Sequence, residues 1–386
     1  MWPKLVIFAC WVSYFVCALA SSVSLPSGKH SNKIQPKVFI IGMFSSEGNI
    51  WHGISEFDVL AQNITVPGFS PLFQQAHCTA DGSICQLVTG EGEINAAVTI
   101  SALSASALFD LRTTYFLIAG IAGINPALGT VGGVTFARFA VQVGLQYEFD
   151  AREIPANFST GYVPQGSKAP GQYPATLYGT EVFEVNDNLR QLAISFARNA
   201  TLYDDANAQA YRALYANHSG WTAATQPPSI VGCDTVTSDQ FFSGALLADA
   251  MSNYTSLVTN GTATYCTTQQ EDNATLEALT RAALFGLVDF ARIIVMRTGS
   301  NFDRPYDGQT PQEHLFSSSP GFLASIRNLH VAGAPVVLGI VEGWEKTFKR
   351  GVKPSNYVGD ILGTLGGVPD FGPGSKFGGQ SANATA

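Results

Sequence analysis

The chain has 386 residues, 46% hydrophobic and 13% charged, and a formal charge of −8 from 21 Lys+Arg against 29 Asp+Glu. That much apolar material excludes global disorder, and the acidic balance argues against nucleic acid, whose phosphates need a basic face. The 38 glycines and 19 prolines indicate many turns, not a long-helix protein.

In chain order, Lys4 precedes an apolar stretch over residues 5–19, and Ala18-Leu19-Ala20 fits the small-x-small cleavage rule. Residues 1–20 therefore read as a secretory signal, with the mature chain starting at Ser21. The alternative is an uncleaved anchor, but the apolar core is short for a span. Residues 21–36 read as a flexible lead. Val38-Phe39-Ile40-Ile41-Gly42 is a short apolar run, predicted as the buried strand that opens the domain. Further strands are predicted over 84–89, 115–121, 134–143 and 293–296. Helices are predicted over 94–108, over 185–199 with Asn186 or Asp187 as N-cap, and over 276–290. The apolar run 336–341 fits either type. From Gly351 the composition turns to Gly, Pro and Ser, so the domain is bounded at 37–350 and followed by a tail over 351–386, its last fifteen or so residues disordered.

Strands alternating with helices indicate an α/β layered domain with a parallel or mixed sheet, in which ligands sit beyond the carboxyl ends of strands. No span is expected in the mature chain. Residues 116–145 are broken by Gly, Pro and Arg138, and 278–296 carries Arg281, Asp289 and Arg292, each costly at mid-bilayer. Eight N-x-Ser/Thr sequons support export: Asn63, Asn157, Asn199, Asn217, Asn253, Asn260, Asn273 and Asn383. Burial is expected to leave some of them unmodified. Four of the six cysteines lie beyond the signal. Cys78 and Cys85 flank an Asp81-Gly82 turn and are paired on that basis, leaving Cys233 with Cys266; the alternative is four free buried thiols.

Several polar clusters fall at predicted strand ends. The first strand runs into Phe44-Ser45-Ser46-Glu47, and a carboxylate just past a buried strand end suits a general base, or else is a solvated loop residue. Thr89-Gly90-Glu91-Gly92-Glu93-Ile94-Asn95 joins a strand to a helix. Its glycines allow a ligand to approach helix N-terminal N–H groups. It is not a dinucleotide fingerprint, because Asn95 replaces the third glycine and Glu91 and Glu93 repel a pyrophosphate. The alternative is a helix start favoured by Glu93. Ala119-Gly120-Ile121-Ala122-Gly123 is a second glycine-rich strand exit, either lining the same pocket or making a tight turn. Ser238-Asp239-Gln240-Phe241, Glu271-Asp272 and Arg297-Thr298-Gly299-Ser300-Asn301 follow. No histidine pair has metal-ligand spacing, and neither a Gly-x-Ser-x-Gly elbow nor a P-loop occurs.

In this order the clusters resemble the fungal purine nucleoside permease family, and more distantly the purine nucleoside phosphorylase and methylthioadenosine nucleosidase superfamily, over about residues 37–350. Residues 311–349 match the permease family alone. The resemblance implies a three-layer, nucleoside phosphorylase-like α/β fold with a central mixed sheet, no cofactor, a purine nucleoside as ligand, and dimers or higher assemblies. It implies that Glu47 holds an attacking water, Phe241 stacks on the purine, Glu271 grips ribose hydroxyls, and Gly90, Asn95 and Gly120 border the ligand. Asn301 stands where nucleosidases carry an acid that protonates the departing base. An amide delivers no proton, and Asp303, two residues on, is the substitute acid. The resemblance implies a secreted or cell-wall nucleoside-binding protein linked to uptake, or alternatively a secreted nucleoside hydrolase. Phosphorolysis needs Arg or Lys around phosphate, and none lies between Lys37 and Arg112.

Overall fold

The computed structural model describes residues 33–369. The expected secretory signal, most of the expected lead and the end of the tail lie outside these residues.

The strands are β1 (Val38–Gly42), β2 (Gln62–Thr65), β3 (Gln75–Cys78), β4 (Ile84–Val88), β5 (Tyr115–Ile124), β6 (Val134–Ala137), β7 (Phe139–Gln142), β8 (Gln146–Glu148), β9 (Tyr162–Pro164), β10 (Val182–Glu184), β11 (Ile230–Gly232), β12 (Asp234–Thr237), β13 (Tyr265–Gln269), β14 (Ile293–Phe302) and β15 (Gly359–Asp360). The helices are α1 (Ser45–Asn49), α2 (Glu93–Ala105), α3 (Asp187–Ala197), α4 (Ala206–Ala213), α5 (Ala245–Val258), α6 (Asp272–Leu284), α7 (Pro311–Phe316) and α8 (Phe322–Glu342). Among the described residues, thirteen strands form one mixed sheet in the order β15-β10-β7-β12-β13-β5-β1-β4-β3-β2, with β14 joining β5 to β6, and β6 to β11. The pair β8-β9 stands apart.

Strand β1 explains the layering. Phe39 and Ile41 face one buried cluster with Ile100 of α2 and Leu276 and Leu279 of α6. Val38 and Ile40 face a second with Leu189 of α3 and Leu329, Val336 and Val337 of α8. Successive side chains point to opposite faces, so a strand covered on both sides must be apolar throughout, as this run is. The result is helices, sheet, helices: the expected central mixed sheet with flanking helices.

The structure departs from the sequence reading in places. The strand expected over 134–143 is two strands, because the backbone N–H groups of Arg138 and Phe139 both donate to Asp234 Oδ1, each at 2.9 Å. This break lets β6 pair with β14 and β11 while β7 pairs with β10 and β12. The ambiguous run 336–341 is the end of α8, which continues past Pro335. Among the described residues α8 alone is long and apolar enough to cross a bilayer, and 61% of its most apolar window is buried inside the domain. Past residue 350 the chain stays packed on the domain. Asn356 Nδ2 donates to Glu184 Oε1 at 2.8 Å, and β15 adds to the edge of the sheet beside β10. Cys78 is bonded to Cys85, and Cys233 to Cys266.

Candidate functional site

A cavity of about 270 Å³ opens beyond the carboxyl ends of β1, β5, β12, β13 and β14. The strand exits singled out in the sequence converge there. Glu47 comes from α1, Ile121 to Gly123 from β5, Phe241 from the loop after β12, Glu271 from the N-cap of α6, and Ser300 and Asn301 from β14.

Glu47 is 1% exposed. Its Oε2 accepts from Met43 N–H at 2.6 Å and its Oε1 from Ile121 N–H at 2.7 Å, so both oxygens are fixed by backbone. Burial pushes its carboxyl up to about 8, Glu271 adds to the rise, and Arg297 opposes it. Glu271 is also raised, by burial first, against the pull of Arg297. Its Oε1 accepts from Gly92 N–H at 3.1 Å, which ties the start of α2 to the start of α6.

Arg297, 1% exposed, lies between these carboxylates. Its guanidinium donates to Asp272 at 2.6 Å, to Glu271 at 3.4 Å and to the Ile121 carbonyl at 3.1 Å. A buried charge costs several kcal/mol unless paired, and Asp272 supplies the pair. Gly120 makes this arrangement possible. A Cβ there would lie 2.5 Å from Arg297 Nη1 and 2.9 Å from Glu47 Oε1, so the backbone approaches both groups only without a side chain.

A register shift in β14 between Gly299 and Asn301 turns Ser300 and Asn301 toward the cavity. Ser300 Oγ donates to Asn301 Oδ1 at 2.8 Å, and Asn301 Nδ2 donates to the Phe302 carbonyl at 2.9 Å. The amide is thereby oriented, with one donor and one acceptor position left for a ligand. Phe241 is 61% exposed at the mouth, and Phe44 and Phe322, with ring centroids 6.3 Å apart, form an aromatic wall.

Glu47, Phe241, Glu271 and Asn301 thus meet in one cavity. Asp303 does not join them. It is held by Arg304 at 2.8 Å and the Tyr265 hydroxyl at 2.7 Å and does not line the cavity. Gly90 and Asn95 are also outside the lining: Asn95 Nδ2 closes a turn onto the Glu91 carbonyl at 2.8 Å. Gly120 lies under the floor. Arg297, Phe44, Phe322 and Asp272 have no role in the sequence reading. The available signal was a lone arginine following the apolar run 293–296, a charge that must be paired if buried.

The family model described as purine nucleoside permease matches residues 35–353. The chain is 49% identical over 352 residues to a purine nucleoside permease of Candida albicans, covering 89% of this chain and 85% of that protein. It is 44% identical over 342 residues to a probable purine nucleoside permease of Schizosaccharomyces pombe, covering 85% and 96%. Among solved structures it is similar to the 5′-methylthioadenosine/S-adenosylhomocysteine nucleosidase of Neisseria meningitidis, with 14% identity, a TM-score of 0.46, and coverage of 80% of this chain and 99% of that one. The chain belongs to the purine nucleoside permease family.

Proposed function

We propose that the cavity binds a purine nucleoside, and that the protein is exported and serves nucleoside uptake by capturing its ligand outside the membrane. The observation that carries this reading is the meeting of an aromatic at the mouth (Phe241), an oriented amide (Asn301) and paired carboxylates at the floor (Glu47 and Glu271) in one cavity. A nucleoside presents complementary groups: a flat base to stack, ring nitrogens to hydrogen-bond, and ribose hydroxyls that donate to carboxylates. The permease names of the relatives support the link to uptake. One mostly buried helix among the described residues provides no spanning bundle, so capture and delivery fit better than conduction.

A second reading, hydrolysis of the N-glycosidic bond, is favoured by Glu47. A buried carboxyl at about 8 has the proton affinity of a general base working slightly above neutral pH. In that reading Glu47 takes the proton of an attacking water, Glu271 steadies positive charge developing on the sugar, and Asn301 hydrogen-bonds the departing purine.

Equilibrium dialysis of residues 21–386 against adenosine, inosine and guanosine, with chromatography for free base in the presence and absence of phosphate, tests both. Saturable binding with intact nucleoside is the expected result. Base release without phosphate establishes the hydrolytic reading, and absence of binding and release together overturns both.

A further inference from the structure

We infer that Ser243 and His314 form a nucleophile–base pair outside the nucleoside cavity, directed at uncharged esters with apolar acyl or aryl groups. The inference does not rest on the nucleoside reading, and neither residue lines that cavity. Ser243 is half-buried in the loop between β12 and α5, and His314 is buried on α7. Ser243 Oγ and His314 Nδ1 are 2.7 Å apart. A chain of hydroxyls behind the ring fixes which way the protons point. The Tyr215 hydroxyl donates to the Arg304 carbonyl at 2.8 Å, and a carbonyl only accepts. Its single proton is thereby used, so Tyr215 accepts from the Tyr211 hydroxyl at 3.1 Å. Tyr211 in turn accepts from His314 Nε2–H at 3.1 Å. A neutral imidazole with its proton on Nε2 carries its lone pair on Nδ1, and Ser243 donates to that lone pair.

The surroundings suit acyl transfer. Burial pushes the His314 imidazole below its ordinary value, so the ring is neutral and able to take a proton at neutral pH. Gly244, at φ +143°, follows Ser243 as the N-cap of α5 and brings no side-chain cap. Open N–H donors at the start of this 14-residue helix therefore come directly after the serine, a placement suited to an oxyanion. Phe241, Leu246 and Phe316, all exposed, flank the two residues in the chain and offer apolar surface to an acyl or aryl group. In the step itself Ser243 Oγ bonds to the ester carbonyl carbon, and the bond from that carbon to the alcohol oxygen breaks. The serine proton passes to His314 Nδ1 and on to the departing oxygen. Water, giving its proton to the same nitrogen, then releases the carboxylic acid and restores Ser243. An anchoring role alone, tying the loop that carries Phe241 to α7, leaves the serine unreactive.

The test treats the purified wild type, Ser243→Ala, His314→Gln and Tyr211→Phe with an alkyl fluorophosphonate, which bonds through phosphorus to an activated serine as fluoride leaves. Peptide mass spectrometry locates the adduct, and its rate of formation is followed beside hydrolysis of 4-nitrophenyl acetate. The wild type is expected to carry one adduct, on Ser243, and to hydrolyse the ester at least about tenfold faster than Ser243→Ala. Labelling should slow about hundredfold in His314→Gln, which removes the base. It should slow about tenfold in Tyr211→Phe, which keeps the imidazole and removes the acceptor that fixes its tautomer. Circular dichroism identifies any variant that has lost its fold; if His314→Gln has, the Tyr211→Phe rate decides. An unlabelled Ser243 in the wild type, ester hydrolysis equal in wild type and Ser243→Ala, or an unchanged labelling rate in the deciding variant overturns the inference and leaves the pair as an anchor.

Discussion

Glu47 concentrates the chemistry of the site in one side chain. Its carboxyl has an ordinary value of 4.5 in an unfolded chain and about 8 in the folded protein. Between those values the folded state holds a proton that the unfolded state has released. Stability therefore falls as pH rises from about 5 to about 8, by up to about 1.4 kcal/mol per pH unit from this residue. Glu93, pushed up to about 7 by burial and then by Asp239, and the raised Glu271 contribute with the same sign. Thermal unfolding of Glu47→Gln across pH 5–8 should show a flatter profile than the wild type, and an unchanged slope would contradict this placement of the proton. If base release occurs, its rate should climb through pH 8 as Glu47 ionises, and Glu47→Gln should abolish it. Glu47 was legible from sequence because a carboxylate after an apolar strand is a local pattern. Arg297 was not, because its partner Asp272 lies twenty-five residues away and the buried pair exists only once the end of β14 meets the start of α6.

At the level of elements, local pattern located β1, β4, α2, β5 and α3, including the Asn186 cap whose side chain accepts from Leu189 N–H. The division between β6 and β7 depends on a distant carboxylate, so nothing in residues 134–143 announced it. Asp234 accepts from three backbone donors, Arg138, Phe139 and Thr264, in a buried setting. Asp234→Ala strands those donors and should cost about 2–4 kcal/mol in urea unfolding, since each buried unsatisfied group costs about 1–3 kcal/mol before relaxation. A loss below about 0.5 kcal/mol would show that the strand switch holds without it. The Cys233–Cys266 bond staples the start of β12 to its parallel neighbour β13 and closes a loop with a sequence separation of 33. Replacing both cysteines by serine should lower stability by about 2–4 kcal/mol. An unchanged urea midpoint would contradict a stapling role.

Over the whole molecule, the layered architecture was legible because alternating apolar strands and helices permit few packings, whereas the closure of the site was not. Five chain segments separated by long stretches must converge before Phe241 and Glu47 share a cavity, and spacing along the chain carries no information about that distance. The same global packing sorts the sequons. Asn273 is 1% exposed, with its amide bonded to Thr237 and to the Thr180 carbonyl, while Asn63, Asn157, Asn199, Asn217, Asn253 and Asn260 are exposed. If the chain is exported as proposed, mass spectrometry of the secreted protein should find glycan among those six and none on Asn273. Glycan on Asn273 in the folded protein would contradict the packing around it. The central claim is that one pocket closes on a purine nucleoside through Glu271. Calorimetric titration of adenosine and guanosine into the purified wild type and Glu271→Gln tests it most directly. The account predicts saturable binding to the wild type without phosphate, and a loss of about ten- to hundredfold in the variant, the worth of one hydrogen bond to a charged group. Unaltered affinity in the variant, or no saturable heat from the wild type, would contradict it.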